Sequence, residues 1–221
     1  MAQARSRLGF IVATTVTSLL LGTTGCADRL EPPVPERHPQ IESMSEWAQT
    51  RAKPYGIPQR QLEAYAYAAH KVEEGSGCAI GWPTIAALGS VLSNHGRARG
   101  AKVASNGVTT VKLRGLAAAA EGKKQVTDTD AGEIDGDFKR DVPVGPMQIM
   151  PSRWKESGTA VEPGMAANPD NIDDAALTTA LMLCSSGDVS SPDGWTKAIA
   201  KINPSKKFLK TVHAKAKEYS R

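Results

Sequence analysis

A mainly α-helical fold is predicted for this chain on two observations. Apolar residues recur at steps of three and four in five separate segments, which places them on one face of a helix. No segment alternates apolar and polar residues over a useful length, as a half-buried strand would. The composition suits a packed globular part: 40% hydrophobic and 23% charged is too apolar for a chain disordered throughout. Only 5% of the residues are aromatic, so the core must lean on Ala, Leu, Ile and Val.

Residues 1–25 read as a secretory signal peptide. Arg5 and Arg7 give a positive start, Leu8 to Gly22 is uncharged and largely apolar, and Thr23-Thr24-Gly25 sets small residues before Cys26. The apolar run is short for a transmembrane helix, which needs about 20 such residues. Leu21-Gly22-Thr23-Thr24-Gly25-Cys26 resembles a bacterial lipobox, in which cleavage leaves the cysteine as a lipidated first residue. Thr23 departs from that pattern, where Leu is usual. The alternative is an ordinary signal peptide and a free thiol at Cys26. Residues 26–45 carry Pro32, Pro33, Pro35 and Pro39 among mixed charges and read as an extended tether, since proline builds neither ladders nor helix interiors. Residues 46–221 are then the folded domain.

The chain has three cysteines. With Cys26 lipidated, Cys78 and Cys184 remain as a pair that an oxidising compartment would bridge; two free buried thiols are the alternative. Such a bridge closes a long loop, worth about 4–5 kcal/mol by loop entropy.

In the domain, Ile57-Pro58 opens a helix carrying Leu62, Tyr65, Ala66, Ala69 and Val72, ended by Gly75 and Gly77. Pro83 suits the first turn of a second helix with Ile85, Leu88 and Leu92 on one stripe, which Gly96 would stop. From Ala98 to about Lys124 no period is evident. Val126 to Asp141 reads as a solvated acidic loop. Its Asp128, Asp130, Asp135 and Asp137 faintly resemble a calcium loop, but the glycine and the final glutamate of an EF-hand are missing, so a loop without metal is the preferred reading and calcium the weaker alternative. Asp173 to Cys184, with two aspartates favourable at its start, is the next helix. Trp195, Ala198, Ile199 and Ile202 mark another, and Leu209, Val212, Ala216 and Tyr219 the last.

The net charge of +4 includes Arg5 and Arg7 of the leader, so the remainder is only weakly basic. That argues against a nucleic-acid partner, which calls for a clustered basic face. The basic stretch Lys206 to Arg221 reads as a solvated helix face; its sharper reading is attraction to an anionic wall or membrane surface. No Gly-rich phosphate loop and no Gly-x-Ser-x-Gly elbow occurs, and His38, His70, His95 and His213 lack metal-ligand spacing, so no cofactor is expected.

Several stretches then align with one family. They are Gly56-Ile57-Pro58, Ala64-Tyr65, Cys78 to Trp82, Ser93-Asn94-His95-Gly96-Arg97, Asp128-Thr129-Asp130 and Asp135-Gly136-Asp137. Val144-Gly145-Pro146-Met147-Gln148, Pro151-Ser152-Arg153-Trp154 and Asn168 to Ala176 follow, closed by Cys184. In this order they resemble the lytic murein transglycosylases of the membrane-bound B type, in their actinobacterial lipoprotein form, over roughly residues 50–221. The resemblance implies a lysozyme-like domain that cleaves the MurNAc–GlcNAc bond of peptidoglycan to a 1,6-anhydro product. It implies one glutamate that protonates the leaving oxygen, just before the Ser of Ser-x-His-Gly. Here that position is Leu92, which has no proton to give. The family's cleft tyrosine before an Asn near the end is Ile202 here. Met147 and Gln148 match groove-lining residues, Ser93 and Asn203 match groove-side or supporting ones, and His95 takes no catalytic role.

The expected protein is thus an exported lipoprotein on the outer face of the cytoplasmic membrane, directed at peptidoglycan, binding glycan strands with impaired or no cleavage. Its expected partners are glycan strands, the membrane through the lipid, and cell-wall enzymes it could scaffold. The alternatives are an active transglycosylase using a substitute acid from Asp128, Asp130, Glu133, Asp135, Asp137 or Asp141, and a structural envelope lipoprotein without sugar binding.

Overall fold

A computed structural model describes residues 30–32, 44–116 and 126–221. The expected signal peptide, Cys26 and most of the expected tether lie outside the described residues. The fold is mainly α. The described residues form helices α1 (Met44–Tyr55), α2 (Gln59–Ser76), α3 (Trp82–Ser93), α4 (Pro151–Ser157), α5 (Ile172–Cys184), α6 (Pro192–Ile202) and α7 (Lys206–Tyr219). A 3-10 turn at Ala98–Gly100 and two short strands, β1 (Val126–Thr127) and β2 (Arg140–Asp141), complete them.

α3 sits at the centre. Trp82 to Gly89, Leu92 and Ser93 are all buried, as expected of a helix apolar on every side. Pro83 occupies its first turn, where a missing N–H is harmless. α2 packs chiefly against α5, and α3 against α7. Both helices bury small residues, Ala64, Ala68 and Ala69 in α2 and Ala175, Ala176 and Ala180 in α5. Buried side chains from all seven helices join in one core. Trp82 meets Trp47 of α1 edge-on, with ring centroids 5.3 Å apart.

Cys78, in the loop after α2, and Cys184, at the end of α5, form a disulfide with Cα atoms 5.9 Å apart. Asn171 caps α5 by accepting the Asp173 N–H at 2.8 Å, Ser191 caps α6 and Ser205 caps α7.

Three expectations need correction. α3 ends at Ser93 with Asn94 in the left-handed conformation (φ 54°), two residues before Gly96, because asparagine tolerates that region and already closes the turn. α1 and α4 carry no periodic signal: α1 buries only Met44 and Ala48, and α4 is too short to show a period. The acidic stretch is not a solvated loop throughout. β1 and β2 pair antiparallel, Val126 with Asp141 and Thr127 with Arg140, and the closed hairpin leaves Asp130, Asp135 and Asp141 only 5%, 9% and 5% exposed.

Candidate functional site

Leu92 lies in the last turn of α3 with 1% of its surface exposed, packed into the main core. An acid serving a sugar must reach an open wall; an aliphatic side chain here fills space instead. Ser93, next to it, donates to the Pro146 carbonyl at 2.5 Å and accepts the Gly96 N–H at 2.8 Å. It pins the end of α3 to the turn that carries Met147 and Gln148.

That turn is tightly fixed. Val144 and Ile149 exchange both backbone hydrogen bonds, at 2.8 and 3.0 Å. Gly145 has φ +72°, and a Cβ there would lie 1.7 Å from the Pro169 carbonyl oxygen, so only glycine fits. Gln148 is 2% exposed, and its amide is spent on the backbone. Oε1 accepts the Leu116 N–H at 2.7 Å, and Nε2 donates to the Gly145 carbonyl at 2.8 Å. The buried amide thus finds its partners in the protein itself. Asn203 is 1% exposed and caps the C-terminus of α6, accepting the Ser205 N–H at 2.9 Å.

Met147 and Gln148 come together with Ile202, far from them in sequence, around one cavity, with Thr179, Met182, Arg153 and Lys201 also on its wall. No carboxylate is among its lining residues, and its volume is about 60 Å³. Ligand pockets run from roughly 300 Å³ upward, so this space admits a few waters and no sugar ring. Arg153 and Lys201 were without a role in the sequence reading. The first sits inside the Pro-Ser-Arg-Trp stretch and the second directly precedes Ile202, so their positions were legible but their convergence was not.

A larger open cleft, about 430 Å³, lies between the acidic hairpin and the loop before α5. Trp154, Glu133, Lys112 and Lys155 line it, above the ion pair of Arg114 with Asp170. That pair is bidentate, at 2.6 and 2.9 Å, and largely buried. Arg114 also donates to the Ile134 carbonyl at 3.2 Å, which ties the hairpin to the loop. Of the acids considered as substitutes, Glu133 faces this cleft.

His95 is 2% exposed and bridges two phenols, with Tyr65 Oη 3.2 Å from Nδ1 and Tyr219 Oη 3.2 Å from Nε2. Burial, reinforced by Arg97 and Lys215, pushes its pKa down to about 3, so it stays neutral. One ring nitrogen then donates and the other accepts, which makes it a brace between α2 and α7.

No protein-family model, no curated protein and no solved structure matches the chain. Among the described residues, no helix is long and apolar enough to cross a membrane.

Proposed function

We propose that the chain is an exported lipoprotein, lipidated at Cys26 and held at the outer face of the cytoplasmic membrane, whose lysozyme-like, transglycosylase-type domain binds peptidoglycan glycan strands without cutting them. The observation that carries the non-cutting part is Leu92: the position that the resemblance gives to the catalytic acid holds an aliphatic side chain with 1% of its surface exposed. General acid catalysis needs a proton donor within hydrogen-bond reach of the glycosidic oxygen, and leucine has no proton to give. The disulfide between Cys78 and Cys184 supports export, because such bonds persist in oxidising compartments.

The 430 Å³ cleft is large enough for a sugar, with an indole wall and charged groups at its rim. Glu133 on that rim favours a second reading, cleavage by a substitute acid. One experiment separates the two. The full chain is mixed with purified insoluble peptidoglycan, sedimented, and the supernatant read by mass spectrometry. Co-sedimentation without 1,6-anhydro products is expected. Anhydro products that vanish in Glu133→Gln establish the substitute acid. Failure to sediment with the wall, together with a supernatant free of anhydro products, overturns both readings and favours a structural lipoprotein.

A further inference from the structure

We propose that Asp128, Asp130 and Asp141 form a binding site for a calcium-class divalent cation that closes the β1–β2 hairpin. One carboxylate oxygen from each of the three lies within 4.8 Å of the others. Asp130 and Asp141 are each 5% exposed. Three negative groups this close repel one another, and repulsion grows as water is withdrawn. Among the described residues none of them has an ion-pair partner. Arg140 goes to Asp137 and Arg114 to Asp170.

The hydrogen bonds leave a specific gap. Asp141 accepts the Thr129 N–H at 2.8 Å on Oδ1 and the Thr129 hydroxyl at 2.7 Å on Oδ2. Asp128 accepts the Asp130 N–H at 3.0 Å, and Asp130 Oδ2 accepts the Ile134 N–H at 2.6 Å. The other oxygen of Asp130, Oδ1, is fully buried and has no hydrogen-bond partner among the described residues. A buried carboxylate oxygen without a donor is costly, and a cation resolves that cost together with the crowding of the three carboxylates. The donor set names the cation class. All three groups are hard oxygen ligands, with no His or Cys, which excludes soft transition metals. An all-protein set of three carboxylates suits calcium, which accepts variable coordination and completes its shell with water, better than magnesium, which demands a regular octahedron and is seldom held by a dedicated protein cage.

The test uses the full chain, stripped with a chelator near pH 7 and titrated with calcium chloride in a calorimeter, with amide hydrogen exchange followed alongside. Binding of one calcium per chain is expected, with slowed exchange confined to residues 128–142 and a higher Tm. Asp130→Asn and Asp128→Asn are each expected to weaken binding by at least about tenfold, while leaving the calcium-free Tm unchanged or raised. Absence of heat and of protection at millimolar calcium overturns the site. Protection outside the hairpin, or variants that bind as the parent does, overturns it as well. The exchange map of the parent decides the matter even where a variant fails to fold.

Discussion

Two loops of this domain are built from aspartates, and they are built differently. In the loop before α5 and the first turn of that helix, all three aspartates have a protein partner. Asp170 holds Arg114 in a fork, Asp173 pairs with Arg60 across to α2, and Asp174 accepts the Val161 and Asn168 N–H groups at 2.8 and 2.9 Å. In the β1–β2 hairpin, Asp128, Asp130 and Asp141 face one another, and one buried oxygen is left over. The first loop is complete by itself. The second has a surplus of negative charge that the described residues do not balance. Two loops of similar composition thus differ in whether the protein alone satisfies them, and mutations in them should differ in sign.

The largest effect is expected for Arg114→Met. It leaves Asp170, whose side chain is 10% exposed, as an uncompensated charge, and should lower unfolding free energy by about 3 kcal/mol in a urea titration. A loss under about 1 kcal/mol would mean that the first loop is not internally balanced, and the contrast would dissolve. Asp174→Ala orphans two backbone donors and is expected to cost about 2 kcal/mol in the same assay.

Acid gives a third handle, which acts outside both loops. The folded-state pKa of His95, about 3, lies below its ordinary 6.5. Between these values the unfolded chain binds a proton that the folded chain refuses. This contribution is therefore fully present above about pH 6.5 and is lost as pH falls toward 3, with a slope of about 1.4 kcal/mol per pH unit. His95→Gln should flatten that slope in a pH series of thermal melts. Measurements on the two loops belong near neutral pH for the same reason. The smallest effect is expected for Asp130→Asn in chelated buffer: no change beyond about 0.5 kcal/mol, or a gain, because it removes a repulsion and not a partner. A loss as large as that of Asp174→Ala would make the two loops alike.

The sequence made α2, α3 and α5 to α7 legible because each repeats its apolar residues over three turns or more. It also made the Cys78–Cys184 bridge legible, since only one even pair remains once Cys26 is set aside. α1 was hidden because it buries little and follows a proline-rich stretch, and α4 because seven residues show no period. At the site, the aliphatic character of Leu92 and Ile202 could be read directly, and both prove to pack against the core. What could not be read was the employment of Gln148. Its amide is consumed by Gly145 and by Leu116, 32 positions away, and no local pattern announces a partner so distant. Nor could the burial of Asp130, Asp135 and Asp141 be foreseen. It depends on the pairing of strands two residues long, below the length at which alternation is visible.

The Cys78–Cys184 bond encloses α3, the hairpin and both aspartate loops within a span of 106 residues. Phe138 and Met165, 76% and 65% exposed, are large apolar side chains inside that span open to a protease. A cut at either would yield two polypeptides that still travel as one particle until a reductant meets them. Damage there would leave the mass and the non-reducing gel band almost unaltered. A domain that is nicked in this way is not shed in pieces, and its age in a hostile medium would be recorded in its broken peptide bonds and not in its disappearance.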